Sequence, residues 1–193
     1  FDGLMISEIR PDDPEKNAYP IIFLDMKNLY TSSFEEFVDR VMVRMREAYE
    51  MFPEILESDI AESAKTRYRK AIEGNLNSAE LKNSLNDLSW MLSTVYGKKT
   101  IILIDEYDSP LNSSYGKPHQ YRIVEFIRDL LSTALKGNSS LKFGVVTGIM
   151  QIAKESIFSG LNNLRVNNIL STDADEMFGF TPKEVEGMCA DFG

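Results

Sequence analysis

The sequence lacks several features on which common functional sites depend. Among its 193 residues Cys189 is the one cysteine, which excludes an internal disulfide and a cysteine-based zinc cluster. His119 is the one histidine, so the usual zinc-hydrolase ligand sets are absent and a Ser-His-Asp triad would depend on a single loop residue. No apolar run reaches the roughly 18 residues of a membrane span, and no signal-peptide pattern occurs. We therefore expect a protein without membrane segments, in the reducing environment of the cytoplasm.

Positive charge is also scarce. The chain has 21 Lys and Arg residues against 30 Asp and Glu residues, a net charge of −9. This balance argues against a broad nucleic-acid-binding face, so we expect nucleic acid to be at most an indirect partner. Hydrophobic residues make up 43% and charged residues 26% of the chain, which is typical of a globular domain.

The most informative stretch is an apolar strand that ends in carboxylates. Ile101–Ile104 has no polar alternation, which predicts a strand buried on both faces at the centre of a parallel sheet. Asp105, Glu106 and Asp108 follow it directly. They are therefore expected at the carboxyl end of a central strand, where open α/β sheets bind their ligands.

Four apolar residues followed by Asp-Glu form the pattern of a Walker B motif. Asp105 would hold Mg²⁺ through water, because Mg²⁺ keeps several waters and takes only one or two carboxylates. Glu106 would act as the general base that polarises the attacking water. From this motif alone, a buried strand capped by solvated acids before a turn at Ser109-Pro110 is an equally weighted alternative.

Three other segments are predicted to be strands. Tyr19–Asp25 is again apolar and ends in a carboxylate, while Lys142–Gly148 ends in the hydroxyl of Thr147. That hydroxyl is suited to hydrogen-bond an attacking water or a γ-phosphate, and equally to cap the segment that follows. Arg165–Ser171 is a weaker strand candidate.

Helices lie between these predicted strands, as indicated by apolar residues at helical spacing and by capping residues. The predicted helices span about residues 34–52, 54–73, 77–97 and 121–135, and a last one begins at Thr181. The predicted capping pairs at helix starts are Ser32 and Ser33 with Glu35 and Glu36, Asn77 with Glu80, and Thr181 with Glu184, while Gly97 is predicted to end the third helix. This alternation predicts a mainly parallel sheet between helical layers, with a helical insertion at about residues 54–97.

Three segments together resemble the AAA-ATPase-like family of P-loop NTPases found in bacteria and archaea. They read IILIDEYDSPL, VVTGIMQIAKESIFSGLNNLRVNNILS and DEMFGFTPKEVEGM, and the strand YPIIFLD also matches. The resemblance implies a three-layer α/β/α P-loop NTPase-like domain over residues 1–193. It makes Asp105 the Walker B aspartate, Glu106 the catalytic glutamate and Thr147 the sensor residue. It also implies Mg²⁺ and ATP as ligands of the parent protein.

One departure from the family pattern affects these expectations. No G-x-x-x-x-G-K-[ST] motif occurs, and the family's P-loop, of RRFGKS type, is expected just upstream of Phe1, so we interpret the chain as a fragment. The P-loop amides and lysine supply most of a phosphate site, so we expect these 193 residues to bind Mg-ATP weakly or not at all. A sheet that lacks the P-loop strand has exposed edges, which favour a homo-oligomer.

Three functional hypotheses follow. In the first, the parent protein hydrolyses ATP and drives a conformational change in a partner or in an attached PD-(D/E)XK nuclease-like domain, which commonly follows this module in the family. In the second, the chain is a degenerate nucleotide-sensing or protein-interaction module without turnover. In the third, Asp25, Asp105, Glu106 and Asp108 form a two-metal cluster that hydrolyses phosphodiesters. The third is disfavoured, because such enzymes usually place a Lys or His near acids from several strands.

Overall fold

The computed structural model describes residues 3, 5–30, 32–149, 157–158, 161, 164–168, 171 and 179–192. It comprises two compact units, residues 1–161 and residues 162–193. The first unit contains α1 (Met5–Ile9), β1 (Ile21–Asp25), α2 (Phe34–Glu50), a 3₁₀ turn (Pro53–Leu56), α3 (Glu62–Ile72), α4 (Ser78–Tyr96), β2 (Thr100–Asp105), α5 (Ser109–Ser113), α6 (Gln120–Leu135) and β3 (Leu141–Val146). The second unit contains α7 (Pro182–Phe192). None of the helices in these described ranges has the length and apolar character that a membrane-spanning segment needs.

The three strands form one parallel sheet in the order β1-β2-β3, with β2 at its centre. Asp25 lies opposite Asp105 in the pairing of β1 with β2, and Ile104 lies opposite Val146 in the pairing of β2 with β3. The predicted α/β architecture with a parallel sheet is confirmed. Because the strands are parallel, their carboxyl ends meet at one edge.

Helices pack against one face of this sheet, which we call the covered face. Its side chains are almost completely buried; they are Ile22, Leu24, Ile102 and Ile104. Helices α2, α4 and α6 contact β1, β2 and β3 respectively, and α4 also packs on α6. Phe37 of α2 meets Phe126 of α6 edge to face, with ring centroids 5.4 Å apart. The apolar stripes predicted on these helices therefore form the core.

The opposite face, which we call the bare face, differs from the sequence prediction. Its apolar side chains are exposed or half-buried; they are Ile21, Phe23, Ile101, Leu103, Phe143 and Val145. Helix α1 and the loop after it border part of this face. They enclose, with Ile21 and Ile101, a cavity of about 320 Å³ at the amino ends of the strands. The prediction of burial on both faces is thus wrong for the described residues, because an apolar run permits burial without supplying a covering layer.

Other differences concern element boundaries. The helix predicted over about 54–73 is divided in two, because the backbone N–H groups of Ile55 and Glu57 donate to the carbonyls three residues earlier, Phe52 O at 3.2 Å and Glu54 O at 3.1 Å. These bonds close the 3₁₀ turn, and α3 begins only at Glu62. The turn predicted at Ser109-Pro110 is the start of the short helix α5. Residues 165–168 and 171, the described part of the weaker strand candidate, contain no strand.

The predicted helix caps are present. Asn77 and Glu80 form a capping box at the start of α4, and Gly97 ends that helix with φ of 63°. In the second unit, the Thr181 backbone N–H donates to Glu184 Oε2 at 2.7 Å, and the Glu184 N–H donates back to Thr181 Oγ1 at 3.3 Å. Reciprocal bonds of this kind satisfy amides that have no partner within the helix.

Candidate functional site

The carboxyl edge of the sheet brings together the three residues predicted to carry the chemistry. Asp105 ends β2, Glu106 follows it, and Thr147 comes directly after β3. The Thr147 hydroxyl donates a hydrogen bond to Asp105 Oδ1. The Thr147 backbone N–H donates to Ile104 O at 2.9 Å, which extends the pairing of β2 and β3 by one residue. The two strand ends are therefore joined by both backbone and side-chain contacts.

The Asp105 carboxylate is oriented by its surroundings. Its Oδ1 accepts from the Thr147 hydroxyl and from the backbone N–H of Glu106, the latter at 3.0 Å. Its backbone oxygen accepts from the Met26 N–H at 3.0 Å, which fixes the end of β2 against the segment after β1. A half-buried carboxylate held at a strand end can serve as a ligand for Mg²⁺, directly or through water.

Glu106 has an unusual backbone conformation. Its φ is 50°, in the left-handed region that few non-glycine residues adopt. The backbone on either side is held by a bond from Tyr107 N to Thr147 O at 3.1 Å and one from Ser109 N to Glu106 O at 3.0 Å. The Glu106 side chain is 34% exposed, and its Oε1 lies 3.9 Å from Lys27 Nζ. The carboxylate is thus within reach of solvent, as a group that activates water has to be.

Asp108 has a different role from Asp105, one that the sequence did not predict. It is only 2% exposed, and its Oδ2 accepts a hydrogen bond at 3.2 Å from Nδ2 of Asn112 in α5, the helix that Asp108 precedes. A Cβ added to Gly148 would lie 2.7 Å from Asp108 Oδ1 and 2.7 Å from the Tyr107 ring. Gly148 therefore allows the segment after β3 to pass close to Asp108. In the sequence, the one feature that indicates this contact is Gly148, which directly follows Thr147 at the end of β3.

The four carboxylates of the two-metal hypothesis are not gathered into a metal site. No group of three or more His, Cys, Asp and Glu side chains placed to hold a metal ion occurs among the described residues. Asp25 Oδ1 instead accepts the backbone N–H of Lys27 at 2.7 Å, which closes a turn at the end of β1. The two-metal hypothesis gains no support from this geometry, whereas a single Mg²⁺ held through water needs only one or two carboxylates.

Comparisons with known proteins add a family match. The model of the AAA-ATPase-like family, described as "Predicted AAA-ATPase", matches residues 1–158. An uncharacterized protein in the vnfD 5′ region of Azotobacter chroococcum mcd 1 is 31% identical over 97 residues, which are 49% of this chain and 18% of that relative. The aligned region thus spans less than one fifth of the relative. No solved structure matches the chain significantly.

Proposed function

We propose that this chain, which belongs to the AAA-ATPase-like family, supplies the metal-binding and water-activating half of an ATP-hydrolysing site. The observation that carries the proposal is the joined end of β2 and β3, where the Thr147 hydroxyl bonds to Asp105 and Glu106 follows directly. A carboxylate, a hydroxyl and a second, solvent-accessible carboxylate at this edge are the groups that such a site requires.

Each residue has a distinct role in this proposal. Asp105 would hold Mg²⁺ through water, and the bound ion would neutralise charge on the transferred phosphoryl group. Glu106 accepts a proton from the attacking water, since its side chain extends beyond the strand end into solvent. Thr147 keeps the Asp105 carboxylate oriented through its hydroxyl and lies beside the position of the attacking water.

The phosphate-binding half of the site comes, in this proposal, from a P-loop outside the 193 residues. Among the described residues β3 is an edge strand, and no helical layer covers the bare face. A strand added beside β3 and helices packed on the bare face would complete a three-layer P-loop NTPase fold. The 193 residues alone then bind ATP weakly, and a submillimolar dissociation constant measured on them would contradict this part of the proposal.

In the whole protein, we propose that turnover drives a conformational change in a partner or in an attached nuclease-like domain, and that the protein assembles as a homo-oligomer. The test is steady-state ATP hydrolysis by a protein that joins these residues to their P-loop. Glu106→Gln should lower kcat about 100-fold or more, the usual contribution of a general base, while nucleotide affinity persists. Glu47→Gln, on the exposed side of α2, is the matched control and should leave kcat unchanged. Turnover that survives Glu106→Gln would contradict the assignment.

A degenerate nucleotide-sensing or protein-interaction module is the second candidate, and the bare face is the observation that favours it. Apolar side chains exposed side by side on a sheet commonly mark a surface that another chain covers. If neither the wild-type protein nor Glu106→Gln hydrolyses ATP, this candidate takes first place.

A further inference from the structure

Tyr107 directly follows the proposed general base and is buried beside the end of β3. It is 5% exposed, and its backbone N–H donates to Thr147 O at 3.1 Å. Glu106, the residue before it, has the left-handed φ of 50°. A non-glycine residue persists in this conformation where the structure around it holds it there, and the buried Tyr107 is part of that structure. The position of the Glu106 carboxylate therefore depends on how Tyr107 packs.

The Tyr107 ring packs against two parts of the segment that follows β3. A Cβ added to Gly148 would lie 2.7 Å from the ring, so the ring and the Gly148 backbone are in close contact. The ring of Phe158 meets the Tyr107 ring edge to face, with centroids 5.2 Å apart and an interplanar angle of 65°. Aromatic pairs of this geometry are favourable beyond the area that they bury. Tyr107 thus joins the start of this segment to Phe158, which lies further along the chain.

Phe158 lies close to the point at which the chain leaves the first unit. Its neighbour Ile157 is 1% exposed and belongs to the core, and the Leu161 N–H donates to Phe158 O at 2.9 Å. The first unit ends at Leu161. A displacement of the Phe158 ring therefore occurs within a few residues of the entry into the second unit.

We propose that Tyr107 is a positioning residue that couples Glu106 to Phe158, and through Phe158 to the chain that enters the second unit. This inference rests on the proposed function, because it assigns the output of the same site. Glu106 changes its contacts when a nucleotide occupies the site, and Tyr107 follows because the two residues are adjacent. Tightly packed side chains pass on such a shift because they move between discrete arrangements rather than deform gradually.

The experiment observes the second unit through Cys189, the one cysteine of the sequence, which is exposed on α7. The protein joins these residues to their P-loop, has any further cysteine replaced, and carries an environment-sensitive fluorophore at Cys189. The label is read in the Glu106→Gln variant, which should bind nucleotide without hydrolysing it. We expect its emission to change when ATP and Mg²⁺ are added.

Two substitutions each remove one ring of the contact, Tyr107→Leu and Phe158→Leu. In the labelled protein each should remove at least about half of the emission change. In the unlabelled protein with Glu106 intact, each should lower kcat about three- to tenfold and leave KM for ATP unchanged, because Glu106 is placed less well. The double variant should be no worse than either single variant, since both changes break the same contact. Tyr107→Phe keeps the ring and should resemble the wild type.

The matched control is Phe34→Leu, which removes a ring from another aromatic cluster of the first unit. The Phe34 ring centroid lies 6.3 Å from that of Phe126. Phe34→Leu should lower the melting temperature and leave both the emission change and kcat as they are. A Tyr107→Leu protein that behaves in the same way would show that the Tyr107 ring only stabilises the fold, and would overturn the coupling. An equal loss of the emission change in Phe34→Leu would attribute it to general loosening, and would overturn the coupling as well.

Failure of the coupling can be told apart from failure of the proposed function. If Glu106→Gln abolishes turnover but its label does not respond to ATP and Mg²⁺, the hydrolytic assignment stands and the coupling is overturned. If Glu106→Gln abolishes turnover while Tyr107→Leu keeps the full emission change and kcat, only the coupling is lost. If turnover survives Glu106→Gln, the proposed role of Glu106 fails, and the coupling to it fails with it.

Discussion

The covered and bare faces of the sheet are built from the same strands and from similar side chains, yet they have opposite environments. On β1, Ile22 is 0% exposed beneath the helices, while its neighbour Ile21 is 49% exposed. Successive residues of a strand point to opposite faces, so the two isoleucines differ only in what covers them. The comparison shows that the apolar pattern of a strand permits burial, whereas the presence of a second layer decides it.

The two faces therefore contribute differently to stability and to association. On the covered face, burial of apolar surface stabilises the fold by about 25 cal/mol per Å² removed from water. The bare face gains little of this stabilisation in the first unit alone, and it leaves apolar area available to another layer or another chain.

The largest expected effect comes from truncating one isoleucine on each face. Ile22→Ala should lower the free energy of unfolding by about 3 kcal/mol, because it leaves a cavity under α2. Ile21→Ala removes the same atoms from a half-exposed site and should cost less than about 1 kcal/mol. Urea denaturation followed by circular dichroism measures both values. Equal losses would mean that the bare face is covered in solution, and a dependence of the Ile21→Ala loss on protein concentration would identify another copy as the cover.

A buried polar pair on the covered face gives the next effect. The hydroxyls of Ser89 on α4 and Thr100 at the start of β2 are hydrogen-bonded to each other, and both residues are fully buried. Thr100→Val keeps the shape but leaves the Ser89 hydroxyl without this partner, which should cost about 1–2 kcal/mol.

A double-mutant cycle tests this contact. Because Ser89→Ala with Thr100→Val replaces both hydroxyls, the pair should be less destabilised than the sum of the two single variants. Strictly additive losses would contradict a direct bond between the hydroxyls.

Local sequence signals predicted much of the fold. Cap residues such as Asn77 and Gly97, together with helical spacing of apolar residues, located most helices to within a few residues. The apolar runs located the three strands, and their parallel pairing followed from the helices between them. The same reasoning placed Asp105 and Thr147 at one edge, because parallel strands end together.

Features that depend on contacts between distant residues were not predicted. The approach of Lys27 to Glu106 depends on the register of β1 and β2, which no local pattern specifies. The close passage of Gly148 by Asp108 likewise depends on how two loops pack. The bare face was missed because a run such as Ile101–Ile104 has the same composition whether one face or two are covered.

The smallest expected effect is at the exposed start of α2, the helix that covers β1. The backbone N–H and hydroxyl of Ser32 donate to Glu36 Oε2 at 2.9 and 2.7 Å, and Arg40 donates to Oε1 at 2.8 Å. These bonds, the backbone N–H first, lower the pKa of Glu36 from its ordinary value of 4.5 to about 2. The sequence had predicted capping boxes here, and Ser33 Oγ does accept the Glu36 N–H at 3.1 Å.

Because the pKa of Glu36 is lower in the folded state, its contribution to stability is complete above pH 4.5 and is lost as the pH falls toward 2. The contribution should be smaller than either effect on the covered face, since the carboxylate is exposed and solvent weakens its contacts. Titration of the Glu36 side chain by NMR measures the pKa directly, and Ser32→Ala should raise it by removing the hydroxyl donor while the backbone donor remains. A wild-type pKa near 4.5 would show that this network does not form in solution, and the start of α2 would then be held by the Ser33 cap alone.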